Sequence, residues 1–552
     1  MKKTTIISAI SAFCFFANAQ TTDRNITIER DYTPVIQDAG KVLSTPEVLE
    51  KVEPKEEVVY SDFNFPLPIS QNIQTLSAAE ANTAPVIYDK DTYLRVGFGN
   101  YFNNLLDFFM PIIKNSDNNL NVGVNHLATF GKKIHSDSKI KLNFDHNFDN
   151  LTLFAGTGGG YEYFNYYGYE YLNGNIDNTN LYTYGNSLVC FNAFTGIHSK
   201  PDAENWRYSG QLKFNVLQTG DGSAEQSFSV PISLDFIYKN HRAGIDFSFN
   251  YLRYSVYNNN FPDSYSPNII NPYYQYESEE LKARLGAILG ISIGNSNFGE
   301  LLTLAPDVYA EWVPFKKWLA FYGGAGGGLN INTLDKTCRE NRYSLTLRLE
   351  DTYTPFDTYI GFKLKPVSNV LFDAFANYRY IENQYFFVNE EENTSEGIRT
   401  VNIFTAEYSS ASLLKFGARL AMNFSETVDV QAKFAYNKWY LHKDGYSGHF
   451  VKAEQPWHKP TFEADCTANV KITKDITASA NVFYMGGRKA KLNGLPTPMK
   501  DVIDINLGGT YKFSNWLSFF IKGNNLLNSK YDEYYGYQVQ GINFLAGATL
   551  AF

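Results

Sequence analysis

An all-β fold, a closed antiparallel transmembrane β-barrel of 20–22 strands behind an extended N-terminal segment, is what this 552-residue sequence predicts. Three observations predict it. The chain begins with an export signal, it alternates apolar and polar residues in segments long enough to cross a bilayer, and short connections alternate with long ones.

The export signal comes first in the chain. Lys2 and Lys3 precede an apolar core from Ile6 to Phe16, and Ala17-Asn18-Ala19 is a small-residue cleavage site, so residues 1–19 read as a removable signal cut between Ala19 and Gln20. That core is too short to span a bilayer as a helix. No later stretch holds eighteen apolar residues, and a mean hydropathy of -0.30 excludes a bundle of membrane helices. A barrel escapes this test because only alternate residues of each strand face lipid. The 40 Tyr and 43 Phe fit a protein that needs aromatic girdles at two interfaces.

Residues 20–90 differ from the rest of the chain. Pro34, Pro46, Pro54, Pro66 and Pro68, a mixed-charge stretch from Glu50 to Glu57 and little alternation mark a periplasmic or luminal segment rather than a full domain. From residue 91 to 552 period-two ladders take over. Phe228, Val230, Ile232, Leu234, Phe236 and Tyr238 alternate with mostly polar neighbours, and Phe462, Ala464, Cys466, Ala468 and Val470 do the same. Such alternation puts one face in an apolar medium and the other in water. Runs of roughly ten to thirteen residues match a tilted bilayer crossing, whereas strands of soluble sheets average about five to six. Asp235, Asp246, Asp429, Lys433, Glu463, Asp465, Lys471, Asp504 and Lys512 fall on the polar faces and are expected to point into the lumen. Pro231 removes a ladder hydrogen bond, for which a bulge is the expected accommodation.

Connections give the third observation. Short polar turns at Val367-Ser368-Asn369, Ser425-Glu426-Thr427, Thr473-Lys474 and Ser514-Asn515 alternate with long loops near 383–410, 441–459, 488–500 and 524–540. Barrels of this kind have short periplasmic turns and longer external loops. The order slips once, between 254 and 317, where a strand is either missed or invented.

At the C-terminus the residues become specific. Phe513 to Leu527, then Asn528, Lys530-Tyr531, Tyr535-Gly536-Tyr537, Gly541 and terminal Phe552 resemble the ends of TonB-dependent receptors. The closing strand, with Ala548, Leu550 and Phe552 at its end, is similar to the signal read by the barrel-assembly machinery. The resemblance implies 22 strands, a place among outer-membrane lipid in the cell outer membrane of a Gram-negative bacterium, and transport of a solute by a receptor-like channel. It departs from the family in front of the barrel, where residues 20–90 are too few for the usual plug domain. A barrel of this size without a plug is an aqueous hole. Residues 20–90, inward-folded loops such as 254–276, or a partner must obstruct it. The alternative function is therefore a non-transporting scaffold holding a lipoprotein or periplasmic partner.

Other constellations are weaker. The glycine-rich runs Phe154 to Gly160 and Phe321 to Gly328 follow strand pattern but lack the helix and the Lys-Ser/Thr ending of a phosphate loop; they read as strand glycines. His442, His449 and His458 share one predicted external loop without metal-ligand spacing and read as solvated loop histidines, so no metal is assigned. After Cys14 leaves with the signal, Cys190, Cys338 and Cys466 remain, with Cys466 on an apolar strand face. Two Tyr-rich loops, 161–184 and 254–276, could stack on sugars or bind a surface protein; Tyr166, Tyr167, Tyr169 and Tyr171 are the candidate contacts. A net charge of -9 disfavours nucleic acid. No catalytic triad or carboxylate pair stands out, so neither an enzyme nor a cofactor is expected.

Overall fold

In a computed structural model, the residues described are 91–168, 185–200, 205–255, 263–294, 302–315, 318–344, 349–394, 397–424, 427–442 and 452–552. The expected signal, with Ala19 and Gln20, and the segment 20–90 lie outside them, as do Tyr169, Tyr171 and His449.

Twenty-two antiparallel strands form one sheet that closes on itself. The first, Tyr93–Gly99, pairs on one side with Asn104–Lys114 and on the other with the last, Asn543–Ala551, in the register Tyr93↔Ala551 to Gly99↔Leu545. Closure leaves no edge, which is what a strand surrounded by hydrocarbon requires. No helix among the described residues is long and apolar enough to cross a membrane.

Alternation sorts the side chains as the sequence predicts. Phe228, Ile232, Leu234, Phe236 and Tyr238 lie exposed on the outer surface of Ala224–Tyr238, while Asp235 is buried on the lumen side. Cys466 is exposed with the outward set. Near the short turns the outer surface carries Trp206, Tyr238, Trp318, Phe424, Phe513, Trp516 and Phe552, an aromatic girdle; Tyr161, Tyr440, Phe462 and Phe544 are exposed toward the other end. The two ends differ as expected. Lys239-Asn240 and Ser368-Asn369 are two-residue turns, whereas the opposite end holds long connections such as 331–351, 442–461 and 525–542. Both ends of the barrel sequence sit on the short-turn side.

Three expectations need correction. The segment 254–276 is not an inward-folded Tyr-rich loop: Asp263–Glu277 is a wall strand, the one missing from the strand count. Its Pro267 and Pro272 disguise it. Pro272 pairs with Ile245 but is skipped in the ladder to the next strand, and Pro267 pairs with Ser292 but is skipped on the other side, with the register unchanged across both gaps. Each proline thus releases one neighbour only. Pro231 behaves likewise: it pairs with Ser248 and is skipped between Gly210↔Ile232 and Lys213↔Ser229, so no bulge forms there. The third correction concerns 383–410. Val370–Thr394 and Gly397–Phe424 continue as one long hairpin beyond the ordinary strand length, with irregularities after Ile381 and Asn389. Tyr385, Phe386, Phe387 and Val388 are all buried, so both faces of the hairpin are covered and the two-residue alternation that marks a strand disappears.

Candidate functional site

The long-loop end is closed by the chain itself. After the strand Leu319–Asn330 the connection turns inward and forms a short helix, Leu334–Glu340. Thr333 caps it by accepting the Lys336 N–H, Asp335 sits in its first turn and pairs with Arg339 one turn later at 2.9 Å. Leu334, Thr337 and Cys338 are buried, and Glu225 on a wall strand accepts the Leu334 N–H, tying the helix to the barrel.

Around this helix the wall and loops contribute one aromatic cluster. Tyr343 stacks on Tyr537 with centroids 3.5 Å apart, and Tyr167 meets both rings edge-on. Phe164, Tyr166, Tyr254, Tyr265, Tyr385, Phe387, Phe404, Tyr408 and Tyr534 belong to it as well. Gly536, at φ 88, makes the turn between Tyr534 and Tyr537 that sends both rings inward. Polar groups fasten the edges: Tyr534 donates to the Glu340 carbonyl at 2.9 Å, Tyr265 to Asp351 at 2.9 Å, and Arg342 pairs with Glu162 at 2.9 Å. Beside the cluster Trp457 is buried and donates to Glu407 at 2.7 Å, which also pairs with Lys491 at 2.7 Å.

The C-terminal motif acquires a physical role here. Asn525, at φ 48, accepts the Ser529 N–H and donates to the Ser529 and Gln540 carbonyls, closing the base of the loop. Its own N–H reaches Asp504, and Tyr531 donates to the same carboxylate at 2.7 Å. The residues that carry the family resemblance hold the loop that delivers Tyr534 and Tyr537 to the cap.

Of the predicted contacts, Tyr166 and Tyr167 are buried in the aromatic cluster, and the Tyr167 hydroxyl donates to the Gln538 carbonyl at 3.0 Å. Their rings face the protein's own cap. His458 is likewise not a solvated loop residue. It is buried, its Nδ1 lies 2.9 Å from the Phe387 carbonyl and its Nε2 accepts the Tyr535 N–H, which fixes a neutral ring. No metal-holding group of His, Cys, Asp or Glu occurs among the described residues.

Burial, with Arg488 and Lys459 nearby, pushes the His458 pKa down to about 3. Once released to solvent the ring titrates near its ordinary value of roughly 6.5. The released loop therefore takes up a proton across this window that the packed loop refuses, and cap stability falls as pH drops from about 6.5 toward 3. Hydrogen exchange of the 456–460 backbone should accelerate on acidification across that range, and His458→Gln should flatten the dependence. An unchanged pH profile in that variant would sink the assignment.

Below the cap two stretches of the lumen wall differ. From Asp235 to Arg379 acids and bases pair with one another. Arg284 lies against Asp307 at 2.9 Å, with Asp246 at 3.8 Å and the Tyr273 ring 3.6 Å beneath it. Lys363 pairs with Glu311 at 2.7 Å, Arg379 donates to Asp357 at 2.6 Å, and Asp235 holds Arg242 and Tyr273. The stretch from Lys141 to Ser227 instead borders a cavity of about 680 Å³ roofed by the helix. Sequence patterning does not reveal the cap or this cavity; the only local signals are the Thr333 cap and the Asp335/Arg339 spacing.

No family model matches the sequence, and no curated protein matches it. Solved structures do match in fold. The siderophore receptor PirA from Acinetobacter baumannii aligns with 85% of this chain and 81% of its own at 11% identity and a TM-score of 0.63. FpvAI, in its complex with pyocin S2, aligns with 85% and 71% at 12% identity and 0.63, and the copper transporter OprC with 84% and 80% at 11% identity and 0.59. Identity this low speaks to fold alone. The barrel shares the fold of these receptors, and its strands number 22, as the C-terminal resemblance implied.

Proposed function

We propose, from a barrel with the architecture of TonB-dependent receptors, that this chain resides in the outer membrane of a Gram-negative bacterium and admits a solute through its bore. In this reading residues 1–19 are cleaved after Ala19, residues 20–90 lie on the periplasmic or luminal side, and residues 91–552 are the barrel. The short turns face the periplasm and the capped end faces outward. Ala548, Leu550 and Phe552 present the closing strand to the assembly machinery. The neighbours of known structure are receptors and a transporter, not enzymes.

One observation carries the reading: a cavity of mixed polar and apolar lining lies in the bore directly under a cap that the chain builds from its own loops. A cap of this kind shuts the bore, and passage requires it to move. Replacing both Tyr343 and Tyr537 by cysteine puts a thiol at the root of each stacked ring, within reach of a reducible bis-maleimide linker. In cells expressing the chain, that linker should abolish uptake of small polar solutes and a reductant should restore it. Uptake that is the same with the cap locked and unlocked defeats transport.

A second reading, a scaffold that binds a lipoprotein or periplasmic protein without passing solute, is favoured by how densely the cap is fastened: Glu407 alone holds Trp457 and Lys491. Stable co-purification of such a partner together with lock-independent uptake would select it.

A further inference from the structure

We propose that the barrel wall, in the half nearer the long loops, holds a binding site for one acyl chain of an outer-leaflet amphiphile, with the Tyr353 ring as its gate. The inference rests on the reading of the outer surface as lipid-facing and not on passage of a solute through the bore.

The first observation is a lapse in the ladder. Leu302–Phe315 pairs with Leu281–Gly294 from Leu302 to Trp312, but its pairing with Leu319–Asn330 stops at Val308↔Ala325. Among the described residues no strand pairs with that edge from Leu302 to Asp307. The strand that belongs there has gone inward. Gly328, at φ 121, bends it, and its register to Thr352–Val367 shifts at the same point. A Cβ on Gly327 would stand 2.9 Å from the Ala305 Cβ, and one on Gly328 3.3 Å from the Ile288 Cγ2. The Leu329 Cβ lies 3.4 Å from where one on Gly290 would stand. Ala305 shares the lumen face of Asp307, and Ile288 and Gly290 that of Arg284. The displaced strand therefore crosses behind both of them.

The second observation is what stands in the vacated place. Tyr353 reaches across from Thr352–Val367, donates its hydroxyl to the Leu304 carbonyl at 2.6 Å and accepts the Leu304 N–H at 3.2 Å. A side chain clasps the edge where a ladder would run. The flanks are apolar. Leu302 and Leu304 are each 61% exposed and Ile293 62%, against 46% for Leu285 lower on the same wall. Behind the ring Ile288, Ala305 and Leu329 are buried. No atom stands within 4 Å of a Cβ built on Gly326, so the bend leaves open space beside them.

These features choose the occupant. A strand of another protein would need ladder partners, but the Leu304 backbone is already satisfied by Tyr353. Pro306, the next residue of the same orientation, has no N–H to offer. A hydrocarbon chain needs neither. Neighbouring strands stand about 4.8 Å apart, so the place one strand leaves is a slot about as wide as a polymethylene chain. The slot opens on the surface that faces lipid, between Leu304 outside and Leu329 inside. An acyl chain that displaces the ring replaces one apolar filling by another, at the expense of the clasp alone.

The test is site-resolved labelling in vesicles. The full chain, folded into phosphatidylcholine vesicles, is given palmitic acid carrying a diazirine at mid-chain, irradiated, and mapped by mass spectrometry of its peptides. Adducts should form at Leu302 and Leu304 on the outer surface and also at Ile288 and Leu329 within the wall. Tyr353→Phe removes the clasp, keeps the ring, and should raise the inner labelling about fivefold, the effect of one net hydrogen bond. Gly326→Leu fills the open space behind the ring and should lower it comparably. Heat-modifiable mobility on a denaturing gel establishes that each variant is folded; should one misfold, the other still supplies a change of known sign. Outer adducts without inner ones in every chain, or inner labelling indifferent to both substitutions, overturn the proposal and leave the membrane reading intact. Absence of adducts at Leu302 and Leu304 as well removes both.

Discussion

Arg284→Ala should destabilise the barrel by about 3–5 kcal/mol, the cost of breaking a buried ion pair by removing one partner. The reason lies in what the guanidinium leaves behind. Its side chain and that of Asp307 are each only 3% exposed, its Nε donates to Asp307 at 3.0 Å, and Asn271 donates to the same oxygen at 2.9 Å. Without the cation, one neutral amide faces a buried carboxylate, with Asp246 also nearby. Tyr273 loses the charge that sits over its ring. Arg284→Lys restores the charge but not the forked geometry and should recover only part of the loss. Urea unfolding of the detergent-solubilised chain, followed by mobility on gels, measures the difference. Equal midpoints for wild type and Arg284→Ala would show that water in the lumen screens this pair.

Ile232→Lys should cost about 2–4 kcal/mol, the penalty for a lysine near the midplane of a lipid-facing barrel surface. Ile232 is 44% exposed on the outer surface, midway along Ala224–Tyr238 and opposite Phe247 on the neighbouring strand. Its neighbour Ser233 supplies the control. Ser233 points to the lumen, where its hydroxyl donates to Asp246 at 2.7 Å, so Ser233→Lys brings a cation to a carboxylate. Two lysines one residue apart should therefore behave oppositely. Folding yield into liposomes and unfolding midpoints read both. If the two substitutions are equally tolerated, the outer surface does not meet hydrocarbon, and the assignment to a membrane fails with it.

Much of the wall was legible because the contrast between an apolar outer face and a polar lumen acts on each strand separately. Ile232 and Ser233 declare their faces without reference to any other part of the chain. The signal failed where that local pressure was absent or masked. In Asp263–Glu277 two prolines and a run of tyrosines resemble a loop, and only the neighbours on either side show that each proline gives up a single ladder contact. In the hairpin above Ile381 both faces are covered, so Tyr385 to Val388 carry no alternation to read. His458 reads as a loop histidine because the groups that bury it, Phe387, Phe404 and Tyr534, come from segments remote in sequence.

By itself the sequence determined the two-faced strands, which end of the barrel carries the short turns, and the closing segment through Phe552, since each is set by residues within a few positions of one another. Only the tertiary structure decided that the bore is capped, that Tyr343 lies on Tyr537, that Glu225 receives the Leu334 N–H, and that a cavity lies beneath the short helix. These pairings join positions tens to hundreds of residues apart, and closure of the cylinder is what sets their distances.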